Sequence, residues 1–159
     1  MKRLCPVKPQ TKKQQNPSEK DLPLLKVPQF VGNPGWMYLT HNENSEPVAI
    51  FADKQEKLTQ IYIVLDERLF SDTVFRVVRL GPTLFVVYDV RYLNGKCVYE
   101  TMNFEARHQR VKDLLSEFHQ TDLVALLTPD EVPDTYPIRG YEYYDENPGT
   151  IGVFLPVKE

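Results

Sequence analysis

At 159 residues, 42% hydrophobic and 26% charged, the chain is long enough to bury one core and has the composition of a single globular domain. No apolar run approaches the roughly 20 residues that span a bilayer, and no apolar segment follows the Lys2-Arg3 start, so neither a membrane span nor a secretory signal is expected. Cys5 and Cys97 lie far apart, and His41, His108 and His119 have no ligand spacing, so no disulfide framework, metal site or cofactor is expected, and the compartment is expected to be reducing, cytoplasmic or nuclear.

The net charge of −3 is unevenly placed. Residues 1–20 hold Lys2, Arg3, Lys8, Lys12, Lys13 and Lys20 against Glu19 alone, and the acidic excess falls on the rest. With few large apolar residues, this Pro/Gln/Lys-rich start cannot offset its own ordering entropy. Residues 1–22 are therefore expected to be a flexible basic arm, and 23–159 one domain. The arm's charge suits a solubilising role first, and after it contact with RNA, an acidic protein partner or an import receptor.

Leu22 to Trp36 mixes apolar residues with prolines and is expected to cross the surface in extended form. A hairpin follows: strand Trp36–Thr40, a polar turn at Asn42–Glu46, and a return strand Val48–Ala52. "LTQIYIVLDERLF" alternates as a further strand, with Ile61, Ile63 and Leu65 on one face. "VFRVVRL" turns at Gly81-Pro82 into "TLFVVYDV", which is apolar on both faces and so suits a central strand covered on both sides. Asn94-Gly95 marks a tight hairpin turn. The helix is predicted from Phe104 to His119, with Phe104, Val111, Leu114, Leu115 and Phe118 on one side and Asn103 as its cap. "TDLVALLTPDEVP" fits either a short strand or a helical turn. "IRGYEYYD" and "GTIGVFLPV" close the chain as two strands.

This order of elements, with these words in it, resembles the covalent nucleotidyltransferase superfamily of mRNA capping guanylyltransferases and nucleic-acid ligases. "IVLDERLF" is similar to the strand that reads "LDGEL" in that family, and "FVVYDVRYLNGK" to its next, aromatic-rich motif. "FEARHQRV" resembles the helix opening that follows, with Arg107 in the place of the family arginine. The resemblance covers about residues 30–157. It implies an antiparallel, strand-rich α+β nucleotidyltransferase-like (ATP-grasp-type) domain with one main helix and no OB domain.

Catalysis in that family requires a lysine in K-x-D-G, whose amine attacks the nucleotide α-phosphate. The corresponding place here reads "GNPGW", Gly32 to Trp36, and none of the eleven lysines begins K-x-[DN]-G. The family's final "KWK" corresponds to "GVFLP", and its "EGLV" to "RGYEYY", with Arg139 in the place of an acid; Glu142 would substitute only with a slipped register. The resemblance therefore implies a catalytically silent member with no catalytic residue, similar to the snurportin-type cap-binding domains. Such a domain binds the 5′ cap of RNA or a guanine nucleotide; a diverged transferase and a scaffold subunit of a capping complex are the alternatives.

A methylated guanine is a flat cation, so electron-rich rings on both its faces gain stacking and cation–π energy. A carboxylate suits the N1–H and N2–H edge, and cations suit the phosphates. The candidates by position are Trp36, Phe85, Tyr141, Tyr143 and Phe154 for stacking, with Tyr88 near them. Glu67, with Asp66 beside it, is the candidate for the base edge. Arg139 is placed at the pocket, and Arg76, Arg79 and Lys96 at phosphate. Each has an ordinary alternative: Trp36, Phe85 and Tyr88 as core, the tyrosines as sheet packing, and Asp89–Arg107 as an ion pair under the helix.

Overall fold

The computed structural model describes residues 11–13, 25–65, 67–120, 124–144, 148 and 152–156. In chain order its strands are β1 (Thr11–Lys13), β2 (Leu25–Phe30), β3 (Asn33–His41), β4 (Pro47–Asp53), β5 (Leu58–Ile61), β6 (Val64–Leu65), β7 (Thr73–Gly81), β8 (Leu84–Leu93) and β9 (Lys96–Cys97). The helix α1 (Phe104–Phe118) follows, then β10 (His119–Gln120), β11 (Ala125–Leu127), β12 (Ile138–Tyr144) and β13 (Gly152–Pro156). The class is α+β, mostly antiparallel, with one α-helix among the described residues. No helix among them is long and apolar enough to cross a membrane.

A large sheet runs in the order β11-β8-β7-β3-β4-β5, with β9 also on β8. A smaller one runs β1-β13-β12-β2, and β6 pairs with β10 apart from both. The large sheet is covered on two sides. On one face Met37, Leu39, Phe51, Phe75, Val77, Phe85 and Val87 pack with Val111, Leu114 and Leu115 of α1 and with Leu69 and Phe70. On the other, Val78, Val86 and Tyr88 pack with Val27 and Phe30 of β2, Tyr144 of β12 and Phe104. The alternation of β3, β4 and β7 sends successive residues to opposite faces, and Tyr38, Ala52 and Val74 form a third cluster with Trp36, Ile50 and Tyr92 packed against it. Every described position of β8 from Phe85 to Arg91 is buried, as its two-faced apolar pattern predicts.

The Asn94-Gly95 turn is built as expected, with φ of 49° and 84°, the left-handed values that a tight hairpin turn needs and Gly tolerates best. Asn103 caps α1 by accepting the Ala106 N–H on Oδ1 at 2.9 Å. The ambiguous segment resolves into β11, parallel to β8, followed by a short 3-10 turn at Pro129–Glu131.

Three expectations need correction. Leu22 to Trp36 is not a surface crossing, because residues 25–30 pair with β12 as β2 and bury Val27 and Phe30. The strand expected over residues 58–70 is broken. β5 ends at Ile61, Tyr62 is 69% exposed, and Glu67–Leu69 is a 3-10 turn that sends Leu69 and Phe70 under the sheet. The arm is not wholly separate from the fold either, since residues 11–13 pair in parallel with β13.

Candidate functional site

The two sheets lie over each other in matching order. Tyr88 of β8 accepts the Phe30 N–H of β2 on its hydroxyl at 3.0 Å. Arg76 of β7 donates to Glu142 of β12 through both terminal nitrogens, at 3.0 and 2.6 Å. Continued by one strand, that order sets β13, the neighbour of β12, on the side of β3, the neighbour of β7.

That order brings together two aromatics from opposite ends of the chain. Trp36 is the cross-strand partner of Arg76, and Phe154 that of Glu142, so the rings flank one ion pair from facing sheets. Both are half-buried, unlike the aromatics of the main cores. Phe154 can lie against β12 because residue 140 is glycine: a Cβ there would come within 2.6 Å of its ring. At the β-bulge between Ile138 and Gly140, Arg139 is exposed, with its guanidinium 4.6 Å from the centre of the Phe154 ring. Beyond the bulge Glu142 points inward, with Gly140 and Tyr144 on its side of the strand.

The floor of this cleft is strongly charged. Burial opposes the charge on Arg76, but the Glu142 carboxylate, with Tyr144 beside it, more than restores it, and the guanidinium is held above its ordinary value. Tyr144 donates to Glu142 at 2.8 Å, and burial pushes its hydroxyl well above the usual tyrosine range. Next to this pair, Arg107 from α1 grips Asp89 at 2.7 and 3.1 Å. Arg91 lies 3.7 Å from the centre of the Tyr99 ring and 5.5 Å from that of Trp36, its pKa lowered by burial that Asp89 only partly offsets. Among the described buried residues, Arg76 pairs with Glu142, while Arg107 and Arg91 share Asp89, at 2.7 and 3.6 Å.

The other sequence candidates do not converge here. Phe85 is fully buried, edge-on to Phe51 in the core beneath α1, and has no free face for a base. Tyr88 is equally enclosed. Arg76 is consumed by Glu142 and is not free for phosphate. Arg79 lies on the opposite face of the large sheet from Trp36, over Phe85 and Phe51, donating to the Gly81 and Pro82 carbonyls. Lys96 is exposed at the far end of β7 and β8, near Thr73. Six residues of β7 separate that end from Arg79, about 20 Å at strand rise, so no one phosphate reaches both. Glu67 belongs to the turn that packs under the face away from Trp36. Tyr141 and Tyr143 alternate with Glu142 and face outward from the small sheet. Asp66 lies outside the described residues.

Glu142, Asp89 and Arg91 are the charged groups of the cleft that the pocket assignment missed. The alternation of "YEYY" already sets Glu142 and Tyr144 apart from Tyr141 and Tyr143; what it lacks is which face turns inward. The Asp89–Arg107 pair is the ion pair that the sequence allowed. No group of His, Cys, Asp and Glu among the described residues is arranged to hold a metal ion. The sequence contains no K-x-D-G, and "GNPGW" leads into β3 and carries Trp36. Compared with known proteins, the sequence matches no family model and no curated protein significantly.

Proposed function

We propose that the protein binds, without transferring it, the guanine base of a capped RNA 5′ end or a guanine nucleotide in the cleft between Trp36 and Phe154. The observation that carries this reading is the placement of two half-buried aromatics on facing sheets, flanking a buried carboxylate–guanidinium pair. Rings presented from two sheets suit a flat base inserted between them. Glu142 replaces Glu67 as the carboxylate beside the base. Its Oε2 accepts from Arg76 Nη1, and a carboxylate oxygen has capacity for a second donor such as a guanine N–H. Arg139, exposed at the rim over the Phe154 ring, favours a ligand that carries phosphate. In this reading the domain is a nucleotidyltransferase-like fold that kept a pocket and lost the reactive lysine.

The test is retention on immobilised methylated cap analogue, with GTP and ATP as competitors. Wild-type protein should be retained, and Trp36→Ala and Phe154→Ala should each weaken retention by about fivefold or more, from about 1–3 kcal/mol per stacked base. Competition by GTP equal to that of the methylated analogue would assign the cleft to a guanine nucleotide, and ATP competing equally would overturn guanine selectivity. A covalent nucleotide adduct on denatured protein, after incubation with labelled GTP and a divalent metal, would instead establish a diverged transferase.

A further inference from the structure

The tyrosines that the fold turns away from the cleft define a second surface. On the outer face of the small sheet, Tyr143 is the cross-strand partner of Lys26 and Val153, and Tyr141 that of Pro28 and Leu155. Both tyrosines are half-exposed, and at i and i+2 on one strand they stand about 7 Å apart. Lys26 is exposed, with its Nζ 4.2 Å from the centre of the Tyr141 ring. None of these outward residues is acidic, although the chain carries 22 Asp and Glu against 19 Lys and Arg. At one edge of the same sheet lies β1, Thr11–Lys13, with residue 12 in register with Val153.

We propose that this face binds single-stranded nucleic acid by stacking two bases on Tyr141 and Tyr143, with Lys26 on the backbone. Aromatic platforms on an antiparallel sheet accept unpaired bases of any sequence, because every base has a π-face, while an adjoining cation takes the phosphate. A duplex hides its base faces and does not stack there. In a chain of net charge −3, the described outward residues of this face carry a lysine and no acid, which favours a polyanion there. The surface lies on the opposite side of the small sheet from Glu142 and needs no ligand in the Trp36–Phe154 cleft.

The experiment is fluorescence anisotropy of a labelled, uncapped, uridine-rich oligonucleotide titrated with full-length protein. Binding should be detected and should weaken with salt. The Tyr141→Leu/Tyr143→Leu double variant should lose it by roughly a hundredfold, about tenfold for each stack. The Tyr141→Phe/Tyr143→Phe variant keeps both rings and should bind within about threefold of wild type, separating stacking from any effect on folding. Lys26→Glu should lower affinity and flatten the salt dependence. Excess free cap analogue should leave the oligonucleotide bound. No binding of the uncapped strand, equal binding of the Leu variant, preference for the duplex, or displacement by free cap analogue would each overturn the proposal.

Discussion

The two ends of the inter-sheet space are built from the same kinds of residue and finished differently. Where β2 and α1 meet β8, Phe104 and Tyr144 stack face to face, centroids 3.6 Å apart and planes 4° from parallel, and the space is closed. On β3 and β13, Trp36 and Phe154 are the cross-strand partners of Arg76 and Glu142 and remain half-buried. The lesson is that aromatic content alone does not distinguish a core from a pocket. What differs is whether one ring lies upon another ring or each meets a guanidinium, Arg91 at 5.5 Å from the Trp36 ring centre and Arg139 at 4.6 Å from that of Phe154.

The comparison can be broken most severely at the shared ion pair. Glu142→Ala strands Arg76 in the interior and is expected to cost about 3–5 kcal/mol in urea unfolding. A loss below about 1 kcal/mol would mean that water reaches the pair. The next contrast concerns the two ends. Phe104→Ala should cost about 3–4 kcal/mol, because it empties a filled volume. Trp36→Ala should cost clearly less than that while abolishing ligand binding, and equal losses would make the Trp36 end a core too. At the closed end, Tyr88→Phe leaves the Phe30 N–H without its acceptor and should cost about 1–3 kcal/mol.

The smallest effect is on pH dependence. His108 of α1 reaches β8, with Nδ1 at 3.0 Å from the Tyr88 carbonyl, which can only accept, so Nδ1 carries the proton. Burial lowers the ring's pKa below its ordinary 6.5, despite the opposing help of that carbonyl. As pH falls through 6.5 the unfolded chain takes up the proton first, so stability should decline from there towards the lower folded pKa and be flat above. His108→Gln should flatten that acid limb in unfolding midpoints measured across pH 5 to 8.

Much of the fold was legible in local pattern. The two-faced apolar run of β8, the Asn94-Gly95 turn, the Asn103 cap and the β3–β4 hairpin follow from alternation and turn chemistry over a few residues. β2 was not legible, because its prolines and short length look like a linker until β12 is available to pair with it. The break at Tyr62 was hidden because the alternation of residues 58–65 continues past the point where the chain leaves the sheet. The ion pair of Asp89 with Arg107 under the helix is the ordinary structural reading of those two residues. Phe85 and Arg76 are enclosed because strand order, which a single sequence does not display, decides which face is covered. Glu142 was overlooked for the same reason: its inward direction depends on the bulge at Arg139.

The most direct measurement is the fluorescence of Trp36, the only tryptophan in the chain, during titration with methylated guanosine triphosphate. The account predicts saturable quenching, weaker or absent with ATP and lost in Phe154→Ala while Trp36 emission in the free protein persists. Unchanged emission at saturating cap analogue and at saturating GTP would contradict it, and would leave the Trp36–Phe154 end as packing between two sheets.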